Sequence, residues 1–200
     1  LYWLLPIDKL GHFEWVLTIV MFLAMIGDLG LSAALVQLKD ANDVHFDTAF
    51  WTNLVWGLLI TGCIFAATPI LAALLGGEDP ETFARVLYIF CLLIPFASVS
   101  GLFRARLQRD LDFSAIALSE LVSVLTFGLS VSLLFLLRSD LGVLVPVFAS
   151  VCREAGLLCS LAFSARWRPR ARFQPSTLRQ LLSFALNFTG SRAVAYANTK

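Results

Sequence analysis

Charge is scarce in this chain. Of 200 residues only 14% are Asp, Glu, Lys or Arg, against 58% that are hydrophobic. A soluble domain carries about 25% charged residues. The deficit excludes an ordinary water-soluble globule and implies an all-α, polytopic membrane protein, because a helix satisfies its own backbone in lipid. Histidine is scarcer still. His12 and His45 lie outside the apolar runs and far apart, so no metal site is expected. The four cysteines (Cys63, Cys91, Cys152, Cys159) sit inside apolar runs without CxxC spacing. They are expected to act as small buried hydrophobes, not as a disulfide framework. The Walker A, GxGxxG, HExxH and GxSxG patterns are absent, and no nucleophile has a base near it. With only short polar connections, these absences argue against an enzyme, against any cofactor and against a nucleic-acid partner.

What is present is a series of long apolar runs. Six spans are expected, at about Phe13–Val36, Thr48–Leu75, Phe83–Phe103, Ser114–Leu137, Leu141–Phe163 and Leu178–Asn198. Each approaches or exceeds the ~20 residues that cross a bilayer. Pro69 and Pro95 fall inside the second and third. Gly76-Gly77 reads as a helix stop, Asp79 as an N-cap and Pro80 as a first helical residue. Ser176 or Thr177 is expected to cap the sixth span. The polar connections are Gln37–Asp47, Gly76–Thr82, Arg104–Phe113, Arg138–Asp140 and Ser164–Thr177. The last alternates Arg166, Arg168, Arg170 and Arg172 around Trp167, a residue suited to the headgroup zone. The chain does not begin with Met, and Lys200 falls within a helical pattern, so a fragment cut at both ends is expected.

The loops give the orientation. Gln37–Asp47, Arg104–Phe113 and Ser164–Thr177 fall on one side and hold Lys39 and seven of the arginines. The positive-inside rule puts that side in the cytoplasm, and the acidic Glu78-Asp79-Glu81 connection outside.

Five charges lie well inside the spans, away from their ends: Asp28, Glu120, Arg153, Glu154 and Arg192. Each costs about 2.5–3.5 kcal/mol at mid-bilayer on insertion scales, so each is expected to face a partner or a hydrated interior. Arg153 and Glu154 are neighbours about 100° apart around one helix. Partners on other helices are therefore expected, with Asp28 and Glu120 the candidates for Arg153. These residues either fix helix register as an ion-pair network or line a polar path that takes an anionic headgroup.

The run Gly27–Asp40 (GDLGLSAALVQLKD), followed by Phe50-Trp51-Thr52-Asn53-Leu54, resembles the Wzx-type oligosaccharide flippases, the polysaccharide transporter family of the MOP flippase superfamily. Gln108–Phe113 (QRDLDF) is similar to that family's pattern between its fourth and fifth helices, and Arg166-Trp167-Arg168-Pro169 with Leu178–Phe184 (LRQLLSF) to its entry into helix seven. The resemblance implies two six-helix lobes about a central cavity, with residues 1–165 giving the end of helix one and helices two to six of the first lobe. On that mapping 166–177 is a basic cytoplasmic linker and 178–200 begins the second lobe with helix seven. It further implies a multi-pass protein of the bacterial inner membrane that exports lipid-linked oligosaccharides, typically undecaprenyl-pyrophosphate-linked, by alternating access. O-antigen, capsule or exopolysaccharide assembly would be its setting. The implied partners are the lipid-linked oligosaccharide, membrane lipids, a polysaccharide polymerase and glycosyltransferases. Arg153 and Arg192 would form the cationic lining, balanced by Asp28, Glu120 and Glu154. A drug or lipid exporter of the same superfamily, or an integral-membrane polymerase or ligase, stays open on the residues alone.

Overall fold

The computed structural model describes residues 28–77, 79–137, 142 and 144–185. All regular structure among them is helical. In chain order the helices are α1 (Leu31–Gln37), α2 (Asp43–Leu75), α3 (Pro80–Phe90), α4 (Leu93–Arg109), α5 (Phe113–Leu137) and α6 (Leu144–Ser164). A further helical stretch occupies 175–185. Four candidate membrane spans emerge: α2, α3 with α4 (Pro80–Arg109), α5 and α6. The first and sixth expected spans lie largely outside the described residues, as does the Arg138–Asp140 turn. The described end of the first span is interrupted. Leu29 and Gly30 take left-handed backbone (φ 50° and 71°), so Asp28–Gly30 is a turn ahead of the short α1.

Local chemistry sets the helix ends. Asn42 Oδ1 accepts from the Val44 and His45 N–H groups (3.0 and 3.4 Å), while His45 Nδ1 reaches back to the Asn42 N–H at 3.3 Å. This capping box starts α2 at Asp43, five residues earlier than the hydrophobic run alone shows. Polar Asp43–Asp47 is thus the first turn of a helix and not loop. Gly76 ends α2, donating to the Ala72 carbonyl (2.9 Å), and Gly77 turns with φ 56°. Asp79 Oδ1 accepts from the Thr82 N–H (3.0 Å) and Pro80 opens α3, as its sequence implies. Asp112 begins α5, accepting from Ser114 Oγ at 2.7 Å and the Ala115 N–H at 3.1 Å. Those two donors, aided by Arg166, hold its carboxyl below the usual carboxylate range. The last helical stretch starts at Pro175, with Leu178 N–H donating to the Gln174 carbonyl (3.0 Å). Gln174 is therefore at the cap, and the expected caps Ser176 and Thr177 are in the first turn.

The third span is not one rod. Pro95 has no N–H to give the Cys91 carbonyl four residues back, and the helix breaks at Cys91-Leu92 between α3 and α4. Thr61 Oγ1 on α2 donates to that carbonyl at 3.1 Å, which binds the break to its neighbour.

Two apolar clusters hold the bundle. One, at the basic end, gathers Leu31, Leu35, Phe46, Leu102, Phe103, Leu161, Trp167 and Leu181. The other, at the opposite end, gathers Ile64, Phe83, Leu87, Phe90, Ile94 and Val147. Outward faces of α2 and α5 stay apolar and exposed, as at Leu58, Leu59, Leu125 and Leu129, the surface a helix offers to lipid. Cys63, Cys152 and Cys159 are on exposed faces. The expected burial of the cysteines holds only for Cys91, since a thiol suits lipid as well as a core.

Small residues set the crossings, as expected where lipid supplies no hydrophobic drive between helices. A Cβ at Gly57 of α2 would sit 3.1 Å from Pro95 Cα and 3.1 Å from Ser98 Oγ on α4. One at Gly156 of α6 would meet Thr126 Oγ1 of α5 at 2.9 Å. Gly62 of α2 has nothing within 4 Å. Gly57→Leu should therefore destabilise the protein by about 1–3 kcal/mol through overpacking, and Gly62→Leu should leave it unchanged. Thermal denaturation of the purified protein in detergent distinguishes the two.

Candidate functional site

Helix α4 continues through Arg109, so Arg104, Arg106 and Arg109 are helical and not in a loop. Arginine is a good helix former, and basic side chains in a last turn suit the helix dipole. The consequence is a pairing that the loop reading hid: Arg104 Nη2 forms a salt bridge with Glu120 Oε1 of α5. Glu154 of α6 lies in the field of Arg153, Glu120 and Arg104 and within hydrogen-bonding reach of Ser100. Ser100 Oγ donates to the Phe96 carbonyl at 2.8 Å. Three helices thus bring two acids and two arginines together. Each is partly exposed, and none belongs to the apolar clusters.

The expected partnership of Arg153 is corrected by this geometry. Glu120 is taken by Arg104, and Arg153 makes no salt bridge among the described residues. Its charge acts on its neighbour Glu154. Asp28 is no partner for it either. Asp28 Oδ1 accepts from Ser32 Oγ (2.7 Å) and from Asn53 Nδ2 of α2 (2.7 Å), and Asn53 Nδ2 also donates to the Ser98 carbonyl of α4 (3.2 Å). Gly101 leaves room for this node, because a Cβ there would come within 2.8 Å of Ser32 Oγ. Asp28 therefore joins α1, α2 and α4 through neutral donors. Arg192 lies outside the described residues.

The helices that carry the charges are joined by polar contacts. Ser160 Oγ of α6 donates to Ser119 Oγ of α5 at 3.0 Å. With Gly156 against Thr126, residue numbers rise on one helix as they fall on the other, so α5 and α6 are antiparallel.

The basic end is built from arginines that act on backbone. Arg109 Nη1 donates to the carbonyls of Leu35 (2.8 Å) and Leu38 (2.6 Å), which end α1. Arg106 pairs with Asp43 (2.9 Å) and lies over the Phe46 ring, 5.2 Å from its centroid. Arg168 caps α6 through the Ala162 and Ala165 carbonyls. Trp167 is not a surface residue. It is 4% exposed, packs against Phe46, Phe50 and Phe103, and donates from Nε1 to Asp47 Oδ1 at 3.1 Å. Over 165–170 alternate positions face in and out, so Arg166, Arg168 and Arg170 are exposed while Ala165 and Trp167 are buried. That period-two pattern was the one signal for a folded linker.

Long apolar helices that carry an ion pair and a second acid between them define a multi-pass membrane protein with a charged track through α4, α5 and α6. The chain belongs to the polysaccharide biosynthesis protein family, which it matches over residues 3–200. Succinoglycan biosynthesis transport protein ExoT of Rhizobium meliloti is 32% identical over 188 residues, covering 92% of this chain and 36% of that protein. Teichuronic acid biosynthesis protein TuaB of Bacillus subtilis is 26% identical over 176 residues, covering 86% and 35%. Lipopolysaccharide biosynthesis protein WzxC of Escherichia coli is 24% identical over 186 residues, covering 92% and 37%. The resemblance to Wzx-type polysaccharide transporters is thereby borne out. The chain spans about a third of the length of these relatives. No solved structure matches it.

The Arg104–Glu120 pair is over a third exposed on both side chains, so its loss costs less than the 3–5 kcal/mol of a fully buried pair. Glu120→Ala and Arg104→Ala should each destabilise by roughly 1–3 kcal/mol. The double variant should be clearly more stable than the sum of the singles implies. A double-mutant cycle on unfolding in mixed micelles measures the coupling, and simple additivity would contradict the pairing.

Proposed function

We propose that the whole protein exports lipid-linked oligosaccharide repeat units, with a pyrophosphate-linked polyprenyl carrier, across the bacterial inner membrane. The observation that carries the reading is the charged track of Arg104, Glu120, Arg153 and Glu154 on three adjoining helices, in a family of polysaccharide biosynthesis proteins. A pyrophosphate sugar cannot enter hydrocarbon unaided, whereas its polyprenyl tail belongs there. The protein needs to supply only a hydrated groove with cations for the headgroup. An arginine held by a carboxylate is neutral as a pair while the groove is empty. An arriving pyrophosphate replaces one anion by another, so the arginine need not be left unpaired before or after transit.

Arg104 joins Arg153 and Arg192 as the cationic lining, and Glu120 and Glu154 are the counter-charges that release it. Asp28, whose Oδ1 is held by neutral donors, is assigned to packing. The groove closes against a second lobe that begins after the linker, and alternating access moves the headgroup. By the positive-inside rule the arginine-rich segments 104–113 and 164–177 face the cytoplasm, where glycosyltransferases complete the substrate. A polymerase would take the product on the other side. The work is transport and not catalysis.

Expression of the full-length protein in a strain lacking its flippase tests this. Wild type should restore surface polysaccharide. Arg153→Ala, which removes no salt bridge among the described residues, should abolish it at normal protein abundance. Export at full rate by that variant would remove Arg153 from the path.

A further inference from the structure

The linker closes over the first turn of α2 and leaves a cavity of about 190 Å3 lined by Asp43, Asp47, Arg166, Trp167, Arg168 and Arg170. That is room for about six waters. Its lining is chemically mixed. Two carboxylates and three guanidinium groups in one small space suit neither a bare anion nor a bare cation.

Asp47 is the informative member. The residue is fully buried. Its Oδ1 is served by Trp167 Nε1 and by the Arg170 N–H at 3.0 Å. Its Oδ2 is buried with no hydrogen-bond partner among the described residues. Such an oxygen is costly unless a donor reaches it. On the other wall, Arg168 commits one guanidinium nitrogen to backbone carbonyls. Arg166 and Arg170 are exposed and make no salt bridge among the described residues. The cavity therefore offers an unmet acceptor beside uncommitted cationic donors.

Its depth is set by α2. With 33 residues that helix is about 50 Å long, against a hydrocarbon core of about 30 Å. Its first turn therefore projects into the headgroup layer. Trp51, which donates to the Arg170 carbonyl at 2.8 Å, and Phe173 are exposed on this side, as aromatic residues are at a membrane interface.

We infer that this cavity is a binding site for a zwitterionic phospholipid headgroup, with the ammonium donating to Asp47 Oδ2 and Asp43 and the phosphate held by Arg166 and Arg170. Phosphatidylethanolamine has that chemistry. Phosphatidylglycerol has the phosphate without the ammonium, and phosphatidylcholine has a cation without an N–H. The site is separate from the charged track and does not rest on the transport reading.

Native mass spectrometry of the full-length protein, released from nanodiscs with equal parts of the three lipids, tests it. Phosphatidylethanolamine should be retained over the other two by about tenfold. Asp47→Asn keeps an oxygen for Trp167 and Arg170 but replaces the orphan acceptor by a donor, so the preference over phosphatidylglycerol should fall to near parity. If that variant fails to fold, Asp43→Asn should lower the same ratio. The surface pair Arg166→Gln/Arg170→Gln should reduce retention of phosphatidylethanolamine and phosphatidylglycerol alike. Equal retention of all three lipids by the wild type would overturn the assignment. So would a preference over phosphatidylglycerol that survives the aspartate substitutions, or retention of both lipids left unchanged by the arginine pair.

Discussion

An arginine and a glutamate at membrane depth cannot both remain ionised and apart, and that constraint organises the charged half of this bundle. Arg104 on α4 meets Glu120 on α5, and Glu154 on α6 stands in their field. For these groups to meet, α4 must run helical well past its apolar stretch, and α5 and α6 must pack closely. Gly156 allows that approach against Thr126, and Ser119 and Ser160 tie the same two helices nearby. Removing any one of these devices moves a charge away from its counter-charge, so packing and electrostatics are one problem here.

The basic end shows a second use of arginine. Arg109 and Arg168 close helix ends by donating to the carbonyls there, as the orphan groups of helix termini require. Arg106 ties α4 to the start of α2. Topology rules count such residues only as positive charge. In this fold they also fasten α4 to α1 and α2 and close the end of α6. Trp167 adds the apolar counterpart, a ring buried among Phe46, Phe50 and Phe103 with its N–H on Asp47. The segment after α6 is consequently part of the bundle, and the helical stretch that follows stays packed on it through Leu181 and Ala185.

Local signals in the sequence were faithful. Asp79-Pro80 and Gly76-Gly77 read correctly because caps and stops depend on a few adjacent residues. The four described spans were legible from length and apolarity. Other features depend on distant residues and were not. Arg104 reads as loop because hydrophobic windows end where the first arginine appears, although a helix continues wherever its side chains find partners. The break at Cys91 needs Thr61 to donate to the freed carbonyl, thirty positions away. The burial of Trp167 needs Asp47, one hundred and twenty positions away. Of the site, Glu120, Arg153 and Glu154 were visible as charges out of place. Their pairing was not, since which acid an arginine meets is decided by helix crossings that no single run encodes.

The central claim is that the acids and arginines of α4, α5 and α6 face a hydrated interior and not lipid. Thiol labelling tests it most directly, in the full-length protein with its native cysteines replaced and one cysteine reintroduced at a time. A membrane-impermeant maleimide should label Glu154→Cys readily and leave Leu129→Cys, on the exposed apolar face of α5, unlabelled. If Glu154→Cys is as silent as Leu129→Cys, the charges do not look on water, and the transport account fails with them.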